Sequence, residues 1–145
     1  KYSNKSMTAL FVGFNLIDGK GLVVSAGHHW PIIITNEESR TLTLTPGVHL
    51  GFGAANENKP ESFRLENGES LFLYTDGLTE NCGPDGKVLK PRKLLKFLSE
   101  NRQAAGLKSK LLEHAQLIWQ DHKANDDCTF LLIKRIKPYL GKKVA

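Results

Sequence analysis

The first half of the chain is rich in β-forming residues separated by turn signals, and this pattern predicts strands. One segment, 40–45, alternates polar and apolar residues cleanly. The dipeptides Asp18-Gly19 and Asn67-Gly68 predict two hairpins, because Asp-Gly and Asn-Gly adopt the tight turns that join antiparallel strands. The predicted strands cover residues 8–17, 21–26, 31–35, 40–45, 61–65 and 70–75.

Beyond residue 90 the apolar residues recur at helical spacing. Pro91 suits the first turn of one helix, and Gly106 separates it from a second. Residues 128–136 (CTFLLIKRI) predict a last strand, apolar on both faces at first and therefore buried. The fold class predicted is α+β, with helices packed on a mostly antiparallel sheet. The apolar stripes consist of Leu94, Leu95 and Leu98, then Leu107, Leu111, Leu112, Ala115, Ile118, Trp119 and a partly buried His122.

Composition narrows the classes of protein that fit. The chain has 145 residues, 40% of them hydrophobic, and a formal net charge of +5, which suits one domain with its own core. The basic residues are dispersed and densest near the end, where we expect a solvated tail rather than a nucleic-acid site. That cluster consists of Lys134, Arg135, Lys137, Lys142 and Lys143.

The two cysteines, Cys82 and Cys128, lie outside any CxxC pattern. This spacing argues against a disulfide framework or a zinc site and favours a reducing, cytoplasmic location. The apolar runs are too short to span a bilayer, and we expect no membrane segment here. No Ser-His-Asp order or phosphate-binding glycine loop is evident, so the sequence indicates no protein nucleophile.

Two acidic positions lie at the ends of strongly hydrophobic strands. Asp76 follows SLFLYT, and Asp126-Asp127 precedes the last strand. Carboxylates that converge from two strand ends suit a hard cation such as Mg²⁺ or Mn²⁺, and Gly77 would let the backbone turn closely beside it. Each acid alone also fits a plain turn or a solvated connector. His28 follows Ala26-Gly27 at a predicted strand end, where its side chain could reach a site.

Four segments in order resemble a known family. LFLYTDGLTE (71–80) and NDDCTFLLIKR (125–135) are similar to the signature and closing strand of PPM-type (protein phosphatase 2C-like) serine/threonine phosphatases, in the bacterial SpoIIE/RsbU branch. SAGHHWPIII (25–34) and HLGF (49–52) resemble two shorter segments of that family. His29-Trp30 departs from the proline-rich continuation usual after the histidine.

The resemblance implies an antiparallel β-sandwich flanked by helices (α-β-β-α) that hydrolyses phosphoserine or phosphothreonine. Two Mg²⁺ or Mn²⁺ ions would activate a bridging water. Asp76 and Asp126 match metal ligands of the family. Gly77 and Asp127 match residues that either contact an ion or support a ligand, and His28 matches a histidine beside the site. The substrate implied is a phosphorylated signalling protein of the anti-sigma-factor-antagonist type.

The resemblance covers only the C-terminal part of the family domain, here lacking its N-terminal strands, so we assign 1–137 to that part and 138–145 to a basic tail. The family's other metal-binding acids lie upstream of Lys1, and two carboxylates do not easily hold two ions. We therefore expect either an active phosphatase in the intact protein, with an upstream sensor or regulatory domain, or a pseudophosphatase that binds a partner without turnover. A third hypothesis, a nucleic-acid-binding β domain, rests on net charge alone.

A sandwich without its first strands exposes edges and an apolar face, so we also expect pairing with a second copy or with the missing segment.

Overall fold

The computed structural model describes residues 5–52, 58–120 and 122–136. Within them the chain forms seven strands and three helices. The strands are β1 (Ala9–Phe14), β2 (Lys20–Ala26), β3 (Ile32–Ile34), β4 (Ser39–Thr41), β5 (Glu61–Arg64), β6 (Ser70–Tyr74) and β7 (Phe130–Lys134). The helices are α1 (Gly77–Glu80), α2 (Pro91–Glu100) and α3 (Leu107–Trp119), and Pro91 occupies the first turn of α2 as predicted.

The strands form two antiparallel sheets, which confirms the α+β class. One sheet has three strands in the order β1-β2-β5, and the other has four in the order β4-β3-β6-β7. In the larger sheet β6 is central, with Phe72 opposite Ile32 on one side and opposite Leu132 on the other. The central place of β6 fixes the position at which its C-terminal end leaves the sheet.

The predicted hairpin around Asn67-Gly68 is wrong, although the turn itself forms. Strand β5 pairs with β2 in the smaller sheet, and β6 pairs with β3 and β7 in the larger one. The turn therefore crosses from one sheet to the other. Gly68 adopts a φ of 93°, and its N–H donates to the carbonyl of Arg135 rather than to a hairpin partner.

Two apolar clusters fill the molecule. One lies between the larger sheet and the helices, and includes Phe72, Leu94 and Leu111. The other lies between the sheets, includes Val23 and Leu71, and contains no residue of α2 or α3. Within the described residues, helices therefore cover the larger sheet only. Phe11 and Leu22, on the outer face of the smaller sheet, are more than half exposed, at 59% and 56%.

The last strand differs from its prediction. Strand β7 lies at the edge of the larger sheet, and Leu131 is 52% exposed, so the strand is not buried on both faces. The helical stripe also ends earlier than predicted, because Gln120 adopts a left-handed conformation with a φ of 50°. His122 consequently lies beyond α3 and is exposed.

Arg135, predicted to belong to a solvated basic tail, is instead buried between the sheets with 9% of its side chain exposed. Its Nη1 donates to the carbonyl of Leu65 and its Nη2 to the carbonyl of Ile17, both at 2.7 Å. Glu66 lies 3.9 Å from Nη1. Arg135 therefore joins the end of β7 to the β1–β2 loop and to the chain that follows β5.

The predicted tail, 138–145, lies outside the described residues, as do Lys137 and the upstream end of the chain. In the part that the structure describes, every helix is too short or too polar to cross a bilayer.

Candidate functional site

The site is built where β6 leaves the larger sheet. Tyr74 is the last residue of β6, and Asp76 is the N-cap of α1, its Oδ1 accepting from the N–H of Gly77 at 3.0 Å. A short aspartate side chain is well suited to satisfy an N–H group at a helix start. Asp76 is exposed, whereas the following Gly77 and Leu78 are buried, so α1 is anchored by its apolar side and presents its acid to solvent.

Thr75 joins the end of β6 to the segment that precedes β7. Its N–H donates to the carbonyl of Thr129 at 2.9 Å, which continues the ladder beyond Phe130. Its Oγ1 accepts from the N–H of Thr129 at 3.0 Å and lies within donor distance of two carbonyls, those of Asp127 (3.2 Å) and Thr129 (3.3 Å). The threonine in YTDG is therefore a cross-strand contact.

Gly77 lies directly against the backbone of Asp127. A Cβ added at Gly77 would stand 2.3 Å from the carbonyl oxygen of Asp127 and 3.1 Å from the nitrogen of Cys128. Side chains do not approach backbone this closely, so only glycine fits here. The glycine predicted to allow a turn thus has a further function, which is to bring the Asp76 turn against the Asp126-Asp127 segment.

Asp126 and Asp127 are both exposed. Asp126 Oδ1 accepts from the N–H of Asp127 at 2.7 Å, while Oδ2 has no hydrogen-bond partner within the described residues. Asp127 contributes its backbone, since its carbonyl faces Thr75 and Gly77. The structure therefore places the two predicted acidic segments side by side.

Asn81 is a site residue that sequence reasoning missed. Its side chain follows α1, is 2% exposed, and makes three hydrogen bonds to the segment that carries Asp126. Asn81 was not among the site residues predicted from the sequence. Nothing in the local sequence marks it, because its partners lie 44 and 45 positions away.

His28 lies beside the same strand end. Its Nδ1 is 3.2 Å from Thr8 Oγ1, and the Ser25 hydroxyl accepts from the N–H of His28. Burial lowers the pKa of His28, and the neighbouring His29 lowers it further, against the opposing effects of the Tyr74 backbone and the Asp76 charge. His28 and Tyr74 line the same cleft, and Tyr74 lies two residues before Asp76.

A cleft of about 340 Å³ opens beside this histidine. His29 forms one wall, where its ring stacks on Tyr74 with centroids 5.3 Å apart and planes 12° from parallel. The departure His29-Trp30 from the family pattern therefore shapes a surface close to Asp76. The residues that line the cleft are His28, His29, Trp30, Thr41, Tyr74 and Pro91.

The carboxylates of Asp76 and Asp126 supply oxygen ligands for a metal ion but not a complete coordination shell. Asp76 and Asp126 each use Oδ1 for a backbone N–H, and their exposed carboxylates suit Mg²⁺ or Mn²⁺, which prefer oxygen ligands. No group of three His, Cys, Asp or Glu residues that would hold an ion occurs in the residues that the structure describes. The two acids therefore fit part of a metal centre, and an ion bound there would need water or further groups.

Comparison with known proteins points to one family. The sequence model of "Stage II sporulation protein E (SpoIIE)" matches residues 2–136. Phosphoserine phosphatase RsbU of Bacillus subtilis (strain 168) is 24% identical over 131 residues, covering 89% of this chain and 39% of its own.

Solved structures agree on the fold. The SiaA-PP2C domain of Pseudomonas aeruginosa superposes with a TM-score of 0.76 at 20% identity, covering 89% of this chain and 52% of its own. The phosphatase domain of SpoIIE from Bacillus subtilis, from a crystal presoaked with Mn, gives a TM-score of 0.66 at 17% identity, covering 93% of this chain and 59% of its own. The chain thus spans between two fifths and three fifths of the proteins that it resembles.

Proposed function

The chain belongs to the SpoIIE family, and from this premise we propose that the protein containing it is a metal-dependent serine/threonine protein phosphatase. The observation that carries the proposal is the contact of Gly77 with the Asp127 carbonyl, which brings two acidic strand ends together. RsbU is named a phosphoserine phosphatase, and the proposed reaction is hydrolysis of a phosphoserine or phosphothreonine ester. The proposed substrate is a signalling protein of the anti-sigma-factor-antagonist type.

Asp76 and Asp126 are the proposed metal ligands. Two bound Mg²⁺ or Mn²⁺ ions would supply a water of lowered pKa and would neutralise phosphate charge. The Mn-presoaked SpoIIE domain supports a divalent cation. Asp76 is fixed by its bond to the Gly77 N–H, and Asp126 by its bond to the Asp127 N–H, so each carboxylate keeps one oxygen for an ion.

Three further residues support the proposed ligands. Gly77 allows the Asp76 turn to lie directly against the backbone of Asp127, and the carbonyl of Asp127 is also in contact with the hydroxyl of Thr75. His28 is proposed to lie beside the metal site without being a ligand, and burial favours its neutral form because it lowers the pKa of the ring. A neutral imidazole beside a phosphate donates a hydrogen bond from one ring nitrogen and accepts one at the other.

The test uses the full-length natural protein, because this chain spans only part of its relatives. Asp76→Asn keeps the size and the helix cap but removes the charge. We expect phosphopeptide hydrolysis with Mn²⁺ to be lost and the Mn²⁺ affinity to fall by more than about 100-fold, beyond the usual cost of losing a residue that only supports a ligand. The matched control is Asp85→Asn, an exposed turn residue paired with Lys87. Equal hydrolysis by wild type and Asp76→Asn would refute the role of Asp76.

A second candidate is a pseudophosphatase that binds a phosphoprotein without turnover. The observation that favours it is the lack of a third metal-binding side chain within the described residues. Calorimetry of the full-length protein distinguishes the two: an active phosphatase binds two Mn²⁺ ions, whereas a pseudophosphatase binds fewer and still retains a phosphorylated partner.

The proposed partners follow from the same reading. The exposed Phe11 and Leu22 on the smaller sheet support pairing with a second copy or with another segment of the domain. An upstream sensor or regulatory domain is proposed from the family resemblance. Cys82 and Cys128 are free thiols, which supports a cytoplasmic location.

A further inference from the structure

The amide of Asn81 binds the backbone on both sides of Asp126. Its Nδ2 donates to the carbonyl of Asp126 at 2.8 Å. Its Oδ1 accepts from the N–H groups of Asn125 at 2.8 Å and of Asp126 at 3.1 Å. Reversing the amide would set donors against donors, so these three partners determine its orientation.

Asn81 is as buried as a core residue, at 2% exposed, although its partners lie in an exposed segment. A buried amide is retained at low cost only when its hydrogen bonds are made. Here all three hydrogen bonds of Asn81 go to the backbone of residues 125 and 126, the segment that carries Asp126. The buried amide therefore holds a segment that is itself exposed and packs little against the rest of the protein.

The same short helix links Asn81 to the first acid. Asp76 is the N-cap of α1 and Asn81 is its C-cap. Leu78, between them, is fully buried in the core cluster under the larger sheet. The distance between the Asp76 turn and the Asp126 backbone is thus set by one anchored helical turn and one buried amide.

Thr75 holds the other side of this segment through its contacts with Asp127 and Thr129. The backbone from 125 to 129 is therefore held at both ends, by an amide and by a hydroxyl. An aspartate in a loop held in this way has few backbone conformations left. Its carboxylate is consequently confined to a small region next to the Asp76 turn.

We propose that Asn81 is a positioning residue for metal binding: it holds the backbone of Asp126 so that this carboxylate and Asp76 are presented to the same site. This inference rests on the proposed function, in which the two acids bind divalent ions. It goes beyond the family pattern, since it assigns a role to a residue outside the Asp-Gly and Asp-Asp motifs.

The experiment is Mn²⁺ calorimetry on the full-length natural protein at a temperature well below the Tm of every variant. For Asn81→Ala we expect Mn²⁺ affinity to fall by about tenfold or more, the usual effect of losing a residue that orients a metal ligand. The matched control is Asn101→Ala, which removes a side-chain bond to the carbonyl of Phe97 at the end of α2. We expect this control to lower the Tm and to leave Mn²⁺ affinity unchanged.

The outcomes separate this inference from the function on which it rests. If Asp76→Asn leaves Mn²⁺ affinity unchanged, the proposed function fails. If Asp76→Asn loses affinity while folded Asn81→Ala retains it, Asn81 is only structural and the inference is overturned. Should Asn81→Ala not fold, Asn81→Ser carries the test, because it removes the amide donor Nδ2 that bonds the Asp126 carbonyl and keeps a small polar side chain. Wild-type affinity in folded Asn81→Ser would also overturn the inference.

Discussion

The two ends of the β6–β7 pair are held in opposite ways. Beyond Tyr74 and Phe130, the chain presents exposed carboxylates, and neutral groups such as Asn81 fix their backbone. Beyond Ser70 and Lys134, the guanidinium of Arg135, which follows a strand of the larger sheet, is buried against two carbonyls that follow strands of the smaller sheet. At the first end the carboxylates of Asp76 and Asp126 are free to bind a ligand, whereas at the second end the charge of Arg135 is used in hydrogen bonds within the protein. The paired strands β6 and β7 therefore separate the proposed metal site from the contacts of Arg135 that connect the two sheets.

The largest effect is expected at the buried end. Arg135→Met keeps the aliphatic stem but removes two charge-assisted hydrogen bonds and leaves the carbonyls of Leu65 and Ile17 without this donor. We expect the free energy of unfolding to fall by about 3 kcal/mol or more, measured by urea denaturation. Mn²⁺ affinity of the folded variant should not change, because the site lies at the other end of the strands.

The control for this prediction is Lys134→Met, which changes the neighbouring residue, an exposed one in β7. We expect it to alter stability by less than about 0.5 kcal/mol, as surface changes usually do. A large loss of Mn²⁺ affinity in folded Arg135→Met would contradict the separation of the two ends.

The sequence predicted well what depends on neighbouring residues. Each β-forming segment contains a strand, and the helical stripe that begins with Leu94 became α2, because these signals are local. The alternating segment 40–45 is the exception in extent, since its strand covers only Ser39–Thr41. The predictions failed where a residue distant in the sequence determines strand pairing or burial. The Asn67-Gly68 turn formed, but the turn signal does not say which strand pairs with which. Leu131 made the last strand look buried, although the edge position of β7 leaves that side chain exposed.

The residues of the candidate site also fall into two groups, those that the sequence indicated and those that only long-range contacts reveal. Asp76 and Asp126 were predictable because acids at the ends of hydrophobic strands stand out in the sequence. Asn81 and Arg135 were not, since the contacts that define them join residues 44 and 118 positions apart. Arg135 in a basic stretch reads as a surface residue until its partner Ile17 is known. Residues that hold a site in place carry weaker sequence signals than those proposed to bind its ligand.

A smaller effect is expected from Gly77→Ala at the exposed end. The new Cβ would lie 2.3 Å from the Asp127 carbonyl oxygen, so one of the two segments must move. We expect unfolding free energy to fall by about 1–3 kcal/mol, the usual cost of overpacking. We also expect Mn²⁺ affinity to fall by about tenfold, because the two acidic segments separate.

Gly13→Ala is the matched control, because a Cβ at Gly13 meets nothing within 4 Å. We expect it to be neutral or to stabilise the protein by up to about 1 kcal/mol, since alanine loses less entropy in a strand. If Gly77→Ala matched this control in both stability and Mn²⁺ affinity, the close contact would not position the site.

The smallest effect is expected from His28, where the exposed end meets the smaller sheet. Burial lowers the pKa of His28 below its usual 6.5, so between the lowered value and 6.5 the unfolded chain binds more protons than the folded one. Stability from this group is therefore complete above 6.5 and is lost as the pH falls through that window. In buffer with a chelator, the Tm difference between about pH 7.5 and about pH 5.5 should be smaller in His28→Gln than in wild type. His122→Gln, at an exposed position, should keep the wild-type difference, and an equal reduction in both variants would show that burial of His28 is not the cause.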